Sequence, residues 1–222
     1  MDSTRRTLLA AVGGATTTGL AGCTGVLGGG GGGSDCDLQE EEPVTSMPNP
    51  VMGDDDAPVT VKAWEDFACP HCQTFSLEAL PKIEENYVSS GDAKFEHHDF
   101  PIPVDDKWSW AVASAARGVQ DATDDGTFFE YAHAMFENQG KYSMNVVQNQ
   151  ASEVGADGCS IRGDAKFGTY RPVLEADRQR GSSAGVRGTP AIFVDGQQVD
   201  FSGASSFYPP IESAIESALS QG

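Results

Sequence analysis

The stretch Val59-Thr60-Val61-Lys62-Ala63-Trp64, followed closely by Cys69-Pro70-His71-Cys72, decides how this chain is read. The first six residues alternate in part and are β-branched, which predicts a strand. Pro70 suits a first helical position, where its missing N–H costs nothing. Cys72, Phe75, Ala79, Ile83 and Tyr87 then recur at helical spacing, and Pro81 is expected to kink that helix. Lys94 to His98 reads as a second strand. Cys69 thus falls at a helix N-terminus, where unpaired N–H groups and the helix dipole favour a thiolate. A protonated His71 adds to that. Two cysteines at this spacing on a helix start form a redox motif rather than a structural staple.

Outward from this unit, Asp105 to Ala184 is helical in pattern. Trp110 to Gln120, Phe128 to Glu137, Val146 to Val154 and Tyr170 to Arg180 are the expected helices, with a loop from Gly155 to Gly163. Strand character returns at Ala191-Ile192-Phe193-Val194, Asp195-Gly196 signals a hairpin, and Gln197 to Phe201 forms its second arm. Ile211, Ala214, Ile215, Ala218 and Leu219 share one face of a final helix. The order is β-α-β, an all-helical block, then β-β-α, an α/β class. Gly188-Thr189-Pro190 precedes the third strand directly, a place where proline is tolerated. The residues alone leave its peptide bond cis or trans.

Taken together, Asp66-Phe67-Ala68-Cys69-Pro70-His71-Cys72, Leu80-Pro81-Lys82-Ile83-Glu84, Asp99-Phe100-Pro101, Phe136-Glu137-Asn138-Gln139 and Gly185-Val186-Arg187-Gly188-Thr189-Pro190 resemble the DsbA-like branch of the thioredoxin superfamily. The likeness runs from Ala57 to about Leu219 and implies a thioredoxin fold with a helical insertion at about 105–184. It implies that Cys69 is the exposed nucleophile, Cys72 the buried resolving cysteine and Pro190 cis. The Thr189 backbone then pairs with an extended substrate, a form of β-augmentation. The implied activity is protein thiol–disulfide exchange without a cofactor, introducing disulfides into thiol-containing exported proteins and being reoxidised by an unidentified membrane partner. An isomerase or reductase on the same fold, or a metal-binding lipoprotein using Cys69, Cys72 and a histidine, are the alternatives. One position departs from the pattern: the family usually buries an Asp or Glu six residues before the first cysteine, and Ala63 stands there. His97, His98 and His133 read as structural or solvent residues. Adjacent strand histidines point to opposite faces, which argues against a zinc site at His97-His98. Trp64, Trp108 and Trp110 read as core and groove residues.

The N-terminus reads as an address. Arg5-Arg6, a short apolar run from Leu8 to Ala21 and small residues after it describe an export signal over residues 1–22, with a twin-arginine start. The run falls short of the roughly 20 apolar residues of a spanning helix. Leu20-Ala21-Gly22-Cys23 resembles a lipobox, which makes Cys23 the lipid attachment site and places the protein on the outer face of the membrane. Residues 23–56, with an unbroken glycine run from Gly28 to Gly33 and clusters of Glu, Asp and Pro, read as an extended tether without packed structure.

The 222 residues carry 33 Asp and Glu against 14 Lys and Arg, a net charge of −19. Such a balance excludes nucleic acid as a partner, since phosphate contacts need clustered cations. It reads as a solvated carboxylate surface, as in proteins from high-salt cells, in preference to a binding site for a basic partner. Beyond Cys23, Cys69 and Cys72, two cysteines remain. A Cys36–Cys159 bridge would pin the tether to the domain, and free thiols are a liability outside the cell; the alternative is two unpaired thiols, with Cys36 in a mobile tether.

Overall fold

The computed structural model describes residues 36–102 and 104–221; the signal stretch, Cys23 and the glycine run lie outside the described residues. Strands β1 (Val51–Met52), β2 (Val59–Glu65), β3 (Ala93–Asp99), β4 (Ala191–Val194) and β5 (Gln197–Gln198) form a mixed sheet in the order β1-β3-β2-β4-β5. β2 and β3 are parallel, and their crossover is the helical run α1, residues 70–88. The other pairings are antiparallel. Helices α2 (Trp108–Ala122), α3 (Asp125–Glu137), α4 (Met144–Glu153), α5 (Gly158–Phe167) and α6 (Arg171–Ser183) are inserted between β3 and β4, and α7 (Tyr208–Leu219) closes the chain. This is the thioredoxin fold with a helical insertion. Among the described residues no helix is long and apolar enough to cross a membrane.

Alternation along β2 and β3 sets what each sheet face buries. Val61, Ala63 and Phe95 pack with Phe75 and Ile83 of α1 and with Ile211 and Ile215 of α7. On the opposite face Trp64, Phe100 and Phe193 form a smaller cluster under α6. Gly181 permits that approach, since a Cβ there would lie 2.6 Å from the Trp64 ring. A separate core fills the insertion around Val112, Phe128, Tyr131 and Leu174, and Phe67 and Cys72 belong to it. The reactive motif therefore sits on the seam between the two halves.

Helix α1 does not simply kink at Pro81. It alternates α-turns with wider π-turns at Phe75–Ala79 and Glu84–Val88, and the Leu80 N–H donates to Phe75 O, five residues back. Pro81 has no N–H to give the preceding turn, and a π-turn absorbs the mismatch without ending the helix. The loop expected over Gly155 to Gly163 is mostly helix α5. Asp157 caps it by accepting from the N–H groups of Cys159 and Ser160, which outweighs the local glycines.

The tether reading fails for its second half. The described part of residues 23–56 packs on the domain. Val44 N–H donates to Thr169 O, β1 adds an edge strand to β3, and the Pro48 and Pro50 carbonyls accept from Arg117 and from the His97 N–H. Prolines and polar residues do keep this segment extended, but an extended chain also offers its backbone carbonyls as acceptors to buried donors. The Cys36–Cys159 disulfide is present, joining this segment to α5.

His97 and His98 are buried, not solvent residues. They lie on opposite sheet faces within a layer of charge between β3 and the insertion. Arg117 of α2 donates from Nε to Asp99 Oδ2 at 2.6 Å and from Nη2 to Asp177 Oδ2 at 3.3 Å. His98 Nδ1 is 2.8 Å from Asp177 Oδ1, and His97 Nε2 is 3.4 Å from Asp99 Oδ1. His133 is exposed, as a solvent residue should be.

Candidate active site

Cys69 is the N-cap of α1, in extended conformation, and Pro70 takes the first helical position. The chain reaches it through a tight turn in which the Cys69 N–H donates to Asp66 O and the Ala68 N–H to Asp66 Oδ1. Asp66 Oδ2 also accepts from the Ile102 N–H at 2.7 Å. Burial pushes this carboxyl up to about 6 despite those bonds. From the insertion, Gln139 Nε2 donates to Phe67 O and Cys69 O, and the Tyr142 hydroxyl donates to Phe67 O. The reactive turn is thus clamped by backbone carbonyls that the loop between α3 and α4 satisfies. Neither Gln139 nor Tyr142 stands out as a site residue in the sequence, because their partners are main-chain atoms 70 and 75 residues away.

The two sulfurs are free thiols with opposite chemistry, and both are buried: Cys69, expected to be exposed, is only 4% exposed beneath the Thr189 loop. Cys69 is lowered from the ordinary thiol value of 9.0 to about 5. The Cys72 thiol, hydrogen-bonded to it, is the largest cause; burial opposes, and the Thr189 hydroxyl and the backbone N–H groups of Cys72 and His71 assist. Cys72 is 0% exposed, and burial raises its thiol well above the ordinary range. The Cys69 bond, the charge of Glu65 and that of Cys69 add to the rise, and the Asp66 N–H, 3.4 Å from Cys72 Sγ, opposes it. One sulfur is a ready thiolate at neutral pH, and the other holds its proton.

The Thr189–Pro190 peptide bond is cis. It brings Thr189 O to 3.3 Å from Cys69 Sγ, across 120 residues of sequence. The Thr189 hydroxyl is buried without a hydrogen bond of standard geometry, yet it is near enough to Cys69 to favour its thiolate. Cys69, Cys72, Thr189 and Pro190 therefore converge. The His71 side chain is exposed, and the residue acts on Cys69 through its backbone N–H. A thiolate at a helix end, a buried partner thiol three residues on and a cis-proline loop beside them, on a thioredoxin fold, define a thiol–disulfide oxidoreductase of the DsbA-like kind.

Comparison with known proteins agrees. The thioredoxin family model matches residues 45–212, and the chain belongs to that family. The disulfide bond formation protein D of Bacillus subtilis is 26% identical over 191 residues, 82% of this chain and 83% of the relative. The crystal structure of oxidised BdbD from Bacillus subtilis superposes with a TM-score of 0.70 at 25% identity, covering 81% of this chain and 100% of that one. Chlamydia trachomatis DsbA shares the fold, with a TM-score of 0.66 at 20% identity over 81% and 92% of the two chains.

Proposed function

We propose that this protein donates the Cys69–Cys72 disulfide to thiol-containing exported proteins from the outer face of the cell membrane. In this reading it leaves the cytoplasm by the twin-arginine route, is tethered by a lipid on Cys23, and is reoxidised by a membrane partner. The observation that carries the direction of transfer is the stabilised Cys69 thiolate. A substrate thiolate attacks Cys69 Sγ, the Cys69–Cys72 bond breaks, and Cys72 leaves with the electron pair and takes a proton. A second substrate thiolate attacks the substrate sulfur of the mixed disulfide and expels Cys69 as a thiolate. The substrate has lost two electrons and the protein has gained them. The Thr189 backbone, next to the reacting sulfur, suits an extended substrate strand.

At pH 7 a thiol of 9.0 keeps its proton, so lowering Cys69 to about 5 favours the reduced form by at most about 3 kcal/mol, on the order of 60 mV for a two-electron couple before solvent screening. From a thioredoxin-like potential near −270 mV, that moves the pair toward about −210 mV. The test is the reduction potential of the full chain together with trapping by Cys72→Ser. A potential well above −270 mV and mixed disulfides on Cys69 support the reading. A potential at or below about −260 mV leaves a reductase instead. Traps forming on Cys72 in a Cys69→Ser variant would reverse the roles of the two sulfurs.

A further inference from the structure

The 33 acidic residues of the chain are unevenly placed in space. Among the described residues the longest runs without Asp or Glu are 178–194, 138–152 and 107–120, and 67–77 is another such run. All four meet at the reactive turn. Residues 67–77 are the turn itself and the start of α1. The run 138–152 supplies Gln139 and Tyr142, which donate to Cys69 O and Phe67 O. The run 178–194 supplies Thr189, whose carbonyl lies 3.3 Å from Cys69 Sγ. The run 107–120 opens with Lys107 and Trp108, and the Trp108 ring is 5.9 Å from that of Tyr142. Burial accounts for the middle of α2, but Gly140, Lys141, Arg187 and Gly188 are open to solvent.

Three of these runs carry an exposed cation beside a residue of the site. Lys141 precedes Tyr142, Arg187 lies two residues before Thr189, and Lys107 Nζ stands 4.1 Å from the centre of the Trp108 ring. Among the described residues none of the three is ion-paired, whereas Lys62, Arg117, Arg171 and Arg180 each face an acid. Acids bordering the runs are occupied. Asp66 accepts from the Ala68 and Ile102 N–H groups, and Asp105 Oδ1 accepts from those of Lys107 and Trp108. Glu137 lies 3.7 Å from His133. Asp106 lines a cavity in which Lys107, Lys166 and Arg171 outnumber it.

The same face offers apolar surface. Val104, in the loop between β3 and α2, is the one exposed large apolar side chain among the described residues, at 48%. Its N–H donates to Ile102 O, and the Ile102 N–H donates to Asp66 in the reactive turn. Half-buried Trp108 and Tyr142 extend that surface toward Lys141. Apolar surface set among unpaired cations, on a molecule of net charge −19, fits an anionic polypeptide.

We propose that the face around Cys69 selects extended segments that carry carboxylates and an apolar residue beside their cysteine. The proposal rests on the exchange chemistry above and names its substrate class. The protein as a whole repels an acidic chain, and the same field holds a basic chain on surfaces remote from Cys69. Lys107, Lys141 and Arg187 reverse that field locally. They meet the carboxylates that flank the substrate cysteine, while the substrate backbone runs along Thr189 and its apolar residue covers Val104 and Trp108. The attacking thiolate arrives where positive charge also favours it.

The experiment uses the full chain, oxidised, and two peptides that each carry a pair of cysteines and a leucine beside the first. They differ only in the flanking residues, aspartates in one and lysines in the other. Reduction of Cys69–Cys72 at pH 7 is followed by rapid quench and peptide mapping. Each rate is corrected for the peptide's thiolate fraction and divided by the dithiothreitol rate of the same protein. Three exposed pairs should favour the aspartate peptide about tenfold in about 0.05 M salt, and about 1 M salt should remove most of that preference. Lys107→Glu, Lys141→Glu and Arg187→Glu together should turn the preference toward the lysine peptide. Val104→Ser should slow both peptides alike, by about threefold. Equal rates for the two peptides at low salt, a lysine preference in the wild type, or an aspartate preference that survives the triple charge reversal would each overturn the proposal. If the triple variant does not fold, the wild-type ratio and its fall with salt decide, and a ratio that salt leaves unchanged overturns it equally. A wild-type protein that neither peptide nor dithiothreitol reduces would defeat the exchange chemistry itself.

Discussion

The turn around Cys69 and the charged layer between β3 and the insertion both hold ionised groups away from bulk water, by different means. At Cys69 the charge faces a neighbouring thiol, a hydroxyl and the open N–H groups of a helix end, none of them a counter-ion. In the layer, Arg117 faces Asp99 and Asp177, and each histidine lies between acids. Neutral dipoles can tolerate the loss of the charge they hold, as forming the disulfide requires. Paired ions cannot, because removing one strands the other. The first arrangement suits a group that changes state in each cycle, and the second suits a fixed platform beneath it.

The largest way to break the contrast is Arg117→Met. It leaves Asp99 and Asp177 buried without their shared cation and should destabilise the protein by about 3–5 kcal/mol in urea unfolding, with Cys69 still alkylating near pH 5. A comparable loss from Cys69→Ser would show that the two regions are not built differently.

A smaller effect separates them by pH. His97 is raised from 6.5 to about 9, so its stabilisation is complete below 6.5 and disappears as pH rises through 9, at most about 3 kcal/mol. Cys69 is lowered from 9.0 to about 5. Its stabilisation exists only in the reduced protein, is complete above 9 and is lost as pH falls through 5. Unfolding of the oxidised and reduced forms between pH 4 and 10 should show the alkaline loss in both and the acid loss in the reduced form alone. An alkaline loss that survives His97→Asn would assign it elsewhere.

The smallest expected effect sharpens the comparison at the seam. Gln139→Ala removes the donor to Cys69 O, while Tyr142 still serves Phe67 O. About 1 kcal/mol of stability should go. Cys69 reactivity should change more than Arg117→Met changes it, because the lost bond holds the reactive turn itself.

Local chemistry was written plainly in the chain. Cys69-Pro70-His71-Cys72 after a β-branched strand, Asp195-Gly196 in the hairpin and the apolar face of Tyr208–Leu219 each need only neighbours within a turn or two. The order of elements and the redox motif follow from such short-range signals. His71 shows the limit even there. Its residue type pointed to its imidazole, and the fold uses its backbone N–H.

What the sequence determined by itself was therefore the succession of strands and helices and the place of the reactive cysteines, since periodicity, capping and spacing are local properties. What only the tertiary structure decided was partnership. Residues 44–52 pack rather than dangle because Arg117 and the β3 edge, far along the chain, need acceptors and a paired strand. Glu65 meets His97 because the β2–β3 register sets residues 32 apart on one face. Thr189 reaches Cys69 because the sheet order brings β4 beside β2. Register and sheet order come from the burial of whole faces at once, and no local stretch of residues carries that information.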